Sequence, residues 1–362
     1  MDARDCSGCA NYETLARRIL IVKLAAAGDV LRTTCVLPAL RAASPGSQIT
    51  WVTERSAVPL LEGNPLIDRI LPRDAATERL LVEQFDLVLG LDNDADGGSL
   101  AALARCRERR GYVLDPEGRV MPVNDAARRW WQMGLDDRLK RANRRTHSDL
   151  LHEVCGLPPT GAPPRLVVPD ATRRAIRARL TPLLAPFDRT VLLNTGGGGR
   201  WPQKRWTQEH YLEFARKVRR DEPGTAVLVA GGPDEADGNA RLLAALFGDP
   251  GVLDGGCDKT IKEFAAMIEL ADVVVTADSL ALHIATALSR PAVAFVGPTS
   301  PWELDLYGRG EVVRADVPCL ACYRRECDQL VTCMDLLTPD TVYAASLRVR
   351  QQQGPTTISS GR

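Results

Sequence analysis

Short apolar runs alternate with helical patterns along most of this chain. Ile19 to Leu24, apolar except for Lys23, gives way to small residues and Gly28 before apolar positions recur at helical spacing, which predicts strand, tight turn, helix. SQITWVTE predicts a second strand, followed by a helix and loop through Leu60, Leu61 and Ile67, and FDLVLGL (85–91) a third. The same grammar returns later. TVLLNTGGGG is strand then glycine loop, TQEHYLEFARKVRR is a helix with Thr207 as N-cap, and AVLVAGGP, ADVVVTADS and PAVAFVGPT are strands, with the helix LALHIATALS before the last. Buried strands alternating with helices predict α/β architecture with doubly wound parallel sheets covered on both faces.

The two halves meet at CGLPPTGAPPRLVVPD, whose five prolines and two glycines break any helix. The expected division is 1–160 for the first domain and 161–340 for the second. Residues 341–362 form a terminal helix end, in a helix around Pro339 to Arg350 that returns to the first domain, and a flexible tail.

Composition adds exclusions. The 362 residues carry 46 basic and 46 acidic side chains, so no charge imbalance points to nucleic acid. No run approaches the roughly 20 apolar residues of a membrane helix, and the first residues lack a signal peptide's apolar core, so the expected location is the cytoplasm with reduced thiols. Of ten cysteines, Cys35, Cys106, Cys155 and Cys257 read as small packed hydrophobes, Cys6 and Cys9 form an N-terminal CxxC, and Cys319, Cys322, Cys327 and Cys333 crowd into fifteen residues.

Ligands of open parallel sheets bind at the carboxyl ends of strands, and three motifs fall there. Asp29 follows Gly28 at a helix start, where it reads either as an N-cap or as a general base facing a cleft. Asn194-Thr195-Gly196-Gly197-Gly198-Gly199 lets backbone approach an anion, with Lys204 and Arg205 within reach. The run fits neither a Walker A loop nor a dinucleotide fingerprint. Thr276-Ala277-Asp278-Ser279 precedes the helix carrying His283; caps and an anion site are compatible readings there, and His283 alone reads as a packed histidine.

Taken together, IVKLAAAGDVLRTTCVLPALR, WPQKRW, VAGGPDE, ADVVVTADSLALHIATAL and VAFVGPTSP resemble glycosyltransferase family 9, the ADP-heptose heptosyltransferases of lipopolysaccharide assembly. The resemblance implies a GT-B architecture, two Rossmann-like domains facing across a cleft. Donor is then held mainly by the second domain and acceptor mainly by the first, with inversion and no catalytic metal. Residue by residue, it implies that Asp29 is the catalytic base and that Lys204 neutralises the leaving diphosphate. Thr195, Gly196, Gly197, Glu235, Asp278, Ser279 and His283 join Lys204 around the donor, with Glu235 on the ribose. Two departures stand out. Leu280 replaces a usual glycine, removing a close backbone approach, and Arg32 replaces a frequent histidine, adding charge that favours a phosphorylated or carboxylated acceptor. The basic segment 136–146 reads as a solvated helix face or as an acceptor-binding rim.

Cys319, Cys322, Cys327 and Cys333 suit a structural zinc or iron, as in autotransporter heptosyltransferases that the cluster resembles; the alternative is four reduced thiols. The implied partners are an ADP-heptose donor and a saccharide or lipid-linked acceptor, with peripheral contact at the inner membrane and no nucleic acid. Competing readings of the same architecture are a nucleotide-sugar 2-epimerase, which needs further acid/base carboxylates, and a non-enzymatic metal-bearing assembly protein.

Overall fold

The computed structural model describes residues 15–197 and 202–353. Cys6, Cys9, Gly198, Gly199, Arg200, Trp201 and the tail from 354 lie outside the described residues. The first sheet contains β1 (Arg17–Val22), β2 (Ser47–Thr53), β3 (Arg69–Pro72), β4 (Gln84–Gly90), β5 (Arg105–Leu114) and β6 (Val120–Pro122). The second contains β7 (Arg189–Asn194), β8 (Thr225–Ala230), β9 (Val252–Gly256), β10 (Val273–Ala277), β11 (Ala292–Val296) and β12 (Gly310–Arg314). Their orders, β3-β2-β1-β4-β5-β6 and β12-β11-β10-β7-β8-β9, are the same doubly wound order read from opposite edges. All pairings are parallel except β5 with β6. Between Gly156 and Pro169 the chain carries no helix or strand.

This order creates a crevice where the winding reverses, between β1 and β4 in the first sheet and between β7 and β10 in the second. The four strands beside these crevices are buried on both faces, which is why they read as unbroken apolar runs. The segments following β1, β7 and β10 carry Asp29, Thr195 and Asp278.

The two domains share apolar packing. The helix Ala27–Thr33 lies against the helix Leu280–Ala287, and the turn Val58–Leu61 against the helix Ile261–Ile268. One buried cluster runs from Leu31, Leu60 and Leu61 to Leu282 and Ala265. Lys262 Nζ donates across the junction to the carbonyls of Glu62 (3.1 Å) and Val167 (2.5 Å).

The last helix, Pro339–Gln353, departs from expectation. It packs on the second domain, against the helix Gln208–Asp221 and β10 to β12, instead of returning to the first. Val342, Tyr343, Ala345 and Val349 complete the apolar layer over Phe295 and Phe214, and Arg350, 4% exposed, pairs with Glu222 at 2.7 Å.

Candidate active site

The segment after β1 is held by a buried polar network. Asp92, which follows β4 across the crevice, is 3% exposed and uses both oxygens: Lys23 Nζ donates to one at 2.5 Å and the Leu24 amide to the other at 2.5 Å. Lys23 Nζ also donates to the carbonyl of Ala25 at 2.6 Å. These bonds fix the turn that delivers Asp29.

Asp29 does not cap its helix. The helix begins at Ala27 with Ala26 in the N-cap position, so Asp29 lies within the first turn. Its side chain is 42% exposed, and Arg32 Nη1 stands 3.7 Å from Oδ1. Burial pushes the carboxyl up, and Asp278 adds to this, but Lys23, Arg32 and His283 together hold it below the usual carboxylate range. It is therefore ionised at neutral pH.

His283 forms the contact between the two halves of the site. Its ring lies on Gly28, where a Cβ would stand 2.7 Å from Cδ2, so glycine is required for the approach. Burial, reinforced by Arg32, lowers the imidazole to about 4 against the opposing pull of Asp278 and Asp29. It is neutral under ordinary conditions, and its Nε2 sits 3.8 Å from Asp278 Oδ1.

Asp278 has its other oxygen filled. Lys204 Nζ reaches Oδ2 at 2.7 Å and the Thr299 hydroxyl donates to it at 2.9 Å. Burial pushes this carboxyl up, yet Lys204, His283 and Arg32 outweigh it and bring it down to about 2. An ionised carboxylate repels phosphate, so Asp278 offers no anion site of its own; it orients the Lys204 ammonium. Ser279 occupies the N-cap position of the helix Leu280–Ala287 but makes no capping bond; its hydroxyl pairs with Thr276 Oγ1 at 2.9 Å. The helix start is left open to an anion.

A cavity of about 390 Å³ adjoins this helix start, lined among others by Asn194, Gly196, Gly197, Glu235, Ser279 and Leu280. Glu235 is anchored by the Gly232 amide at 3.0 Å and by Arg205 at 3.1 Å. Gly196 and Gly231 leave room for it, since a Cβ on either would crowd its side chain. Thr195 does not line the cavity. Its hydroxyl donates to Asn239 Oδ1 at 2.6 Å, because the strand turns that side chain inward, and it supports the loop from below. Leu280, the departure from the glycine pattern, forms part of the wall.

Sequence reasoning missed several contributors. Asn194 ties both strands beside the crevice together, donating to Thr276 Oγ1 and the Gly196 carbonyl, each at 2.9 Å. Lys259, Ile261 and Phe264 complete the cavity wall. Lys23 and Asp92 carried the signal of a charge directly after an apolar run.

Arg32 faces a small cavity with His147, His283, Glu303 and Tyr307. Burial, with Arg32 next in effect, holds the His147 imidazole well below its ordinary value, while burial raises the carboxyl of Glu303. Arg32 is thus the fixed cation there. The basic segment 136–146 reaches the opposite domain: the Arg144 guanidinium lies 3.7 Å from the centre of the Trp302 ring, and Lys140 Nζ 4.4 Å from that of Tyr323. It belongs to the interdomain rim rather than to a purely solvated face.

Cys319, Cys322, Cys327 and Cys333 line one cavity of about 530 Å³ beside Gln203 and Arg141. Burial pushes the Cys333 thiol up to about 11, with the other three adding to the shift. Among the described residues no three His, Cys, Asp or Glu side chains meet as a ready metal cage, so closing the thiols on an ion requires the loop to draw in. Cys35 and Cys155 are buried and Cys106 and Cys257 half-buried, all as free thiols.

The sequence profile of glycosyltransferase family 9 (heptosyltransferase) matches residues 74–331. Lipopolysaccharide heptosyltransferase 1 of Pseudomonas aeruginosa is 26% identical over 332 residues, covering 86% of this chain and 87% of that protein. The crystal structure of a family 9 glycosyltransferase from Veillonella parvula superposes with a TM-score of 0.74 at 20% identity, covering 94% of this chain and 99% of that one. The ADP-heptose lps heptosyltransferase II of E. coli superposes with a TM-score of 0.69 at 20% identity, covering 93% and 99%. The architecture is accordingly GT-B, and the chain belongs to glycosyltransferase family 9.

Proposed function

We propose that this glycosyltransferase moves a heptosyl group from ADP-heptose to a saccharide or lipid-linked acceptor in lipopolysaccharide assembly, inverting the anomeric centre without a catalytic metal. The observation that carries this reading is the pairing of an ionised carboxylate on one domain, Asp29, with a cation and an open helix start on the other, Lys204 and Leu280–Ala287. Asp29 takes the proton of the acceptor hydroxyl as its oxygen attacks the anomeric carbon from the face opposite the diphosphate. The bond from that carbon to the diphosphate oxygen breaks, and the charge left on ADP falls on Lys204 and the helix amides. Glu235 holds the ribose and Arg32 an acidic group of the acceptor. The reaction belongs in the cytoplasm, at the inner face of the membrane bearing the acceptor; no described helix is long and apolar enough to cross it.

An epimerase needs a second free carboxylate at the sugar. Asp278 is occupied by Lys204 and Thr299, which favours transfer. The test is ADP release from ADP-heptose with and without a heptose-free core acceptor. Transfer requires acceptor-dependent release; a changed sugar nucleotide without acceptor supports the epimerase, and failure to bind nucleotide supports the assembly protein.

The four clustered cysteines support a structural zinc or iron alongside this function. A closed four-thiolate shell leaves no position for substrate, so its contribution is to order the loop carrying Tyr323. Protein purified without added metal is expected to hold about one ion per chain. Cys322→Ser is expected to lower both metal content and melting temperature, whereas metal-free, fully active protein refutes the site.

A further inference from the structure

Among the described residues, Lys259 has a largely buried side chain whose ammonium finds no hydrogen-bond partner. Its side chain is 7% exposed, and the nearest carboxylate oxygen, Asp258 Oδ1, lies 3.7 Å away on a side chain that is 95% exposed. That distance is beyond a hydrogen bond, and a solvated carboxylate compensates little for desolvating an ammonium. The chain nevertheless holds the group in place. Gly256 lies directly under Nζ, where a Cβ would stand 2.4 Å from it, and its φ of +79° also favours glycine. Immediately after Lys259, Thr260 and Glu263 form a reciprocal cap that fixes the start of the helix Ile261–Ile268.

This ammonium lines the same 390 Å³ cavity as Glu235 and the open helix start. Ile261 and Phe264, one turn apart on the capped helix, and Leu280 opposite them supply its apolar walls. A flat heterocycle fits between such walls, and its ring nitrogens or carbonyls are the acceptors an ammonium requires. We infer that Lys259 reads the nucleobase of the donor, hydrogen-bonding an acceptor on its edge while Ile261, Phe264 and Leu280 hold its faces. The inference rests on the cavity being the nucleotide site. It divides labour between two lysines: Lys204, paired with Asp278, serves the diphosphate, and Lys259 serves the base.

The test is calorimetric titration of the wild type and of Lys259→Met, which keeps the aliphatic stem, with ADP, adenosine and inorganic pyrophosphate. The expected result is roughly tenfold or greater weakening for both ADP and adenosine, as for a lost charge-assisted bond, with pyrophosphate within twofold. The melting temperature without ligand is expected to hold, because the variant keeps the aliphatic stem and loses only a 3.7 Å contact with an exposed carboxylate. Unchanged ADP affinity overturns the assignment, as does weakening of pyrophosphate with adenosine untouched. A fall in ligand-free melting with ADP affinity retained makes Lys259 a structural residue and also overturns it. If the wild type binds GDP, UDP or CDP in place of ADP, the adenine donor falls and the Lys259 comparison is read on that nucleotide; if it binds none of the four, both readings fall.

Discussion

Lys204 and Asp278 stand 74 positions apart in sequence and 2.7 Å apart in space, with side chains only 13% and 12% exposed. The pair joins the loop after β7 to the end of β10. Because Thr299 donates to the same carboxylate oxygen, the ammonium is oriented before any ligand arrives. A preorganised cation avoids the cost of turning a flexible side chain at the moment charge develops.

Lys204→Ala should therefore weaken ADP binding by roughly tenfold or more while leaving adenosine within twofold, since charge-assisted bonds to phosphate are what the variant lacks. Titration with both ligands checks this. Equal losses for the two would remove Lys204 from the diphosphate.

Gly28→Ala tests the interdomain contact. The added methyl would stand 2.7 Å from His283 Cδ2, so either the ring or the helix Ala27–Thr33 must shift. Overpacking of this kind costs about 1–3 kcal/mol, measurable in thermal melts. Turnover should fall further than ADP affinity, because the shift moves Asp29 relative to the donor side. An unaltered melt together with full turnover would show that the junction is looser than the packing indicates.

How much of this was legible in the sequence follows from burial. β1, β2, β4, β7, β8, β10 and β11 appear as apolar runs because both faces are covered. β5, by contrast, reads RCRERRGYVL, and its charges are used at the surface, as in Arg17–Glu108 and Arg110–Glu108. β3, β6, β9 and β12 are short and lie at or near sheet edges, where no apolar signal is required. Among the candidate site residues, Asp29, Lys204, Glu235 and Asp278 sit in motifs at strand ends. Thr195 shares such a motif, yet whether it faces ligand or core depends on the inward turn toward Asn239. Lys259 has no periodicity around it; only the cavity identifies it.

Acid should destabilise the fold in two steps with the same sign. Below pH 6.5 the unfolded chain binds protons at His283 and His147 that the folded chain refuses, down to about 4 for His283, so stability falls as pH falls through that window. The contribution of Asp278 is full above its ordinary value of 3.8 and is lost as pH falls toward about 2, where the folded carboxylate finally protonates. Each group contributes at most about 1.4 kcal/mol per pH unit. His283→Gln should make the upper step shallower, leaving the part that belongs to His147, and leave the lower step in place in denaturant titrations from pH 7 to 4. An equally steep profile in the variant would assign that step to another group.

Asp29→Asn is the decisive test of the base. A carboxylate held below the ordinary range is available at neutral pH but is a weak proton acceptor, and efficient general bases lie nearer the working pH. The exposure of Asp29 supplies the reconciliation: an acceptor seated over its 42% exposed side chain displaces water, and desolvation raises the carboxyl in the ternary complex. Lys23, Arg32 and His283 keep it ionised until then. The variant should lose roughly 10²-fold or more in turnover with donor affinity unchanged, because Asn cannot accept the proton. Its fold should suffer little. Ala26, not Asp29, holds the N-cap position, so what is removed is a first-turn charge effect of about 0.3–1 kcal/mol together with the partly exposed pairing to Arg32. Single-turnover rates with ADP-heptose and acceptor, alongside ADP titration and a melt, separate these effects. Wild-type turnover in a folded, nucleotide-binding Asp29→Asn would assign the proton transfer to a different group in the cleft.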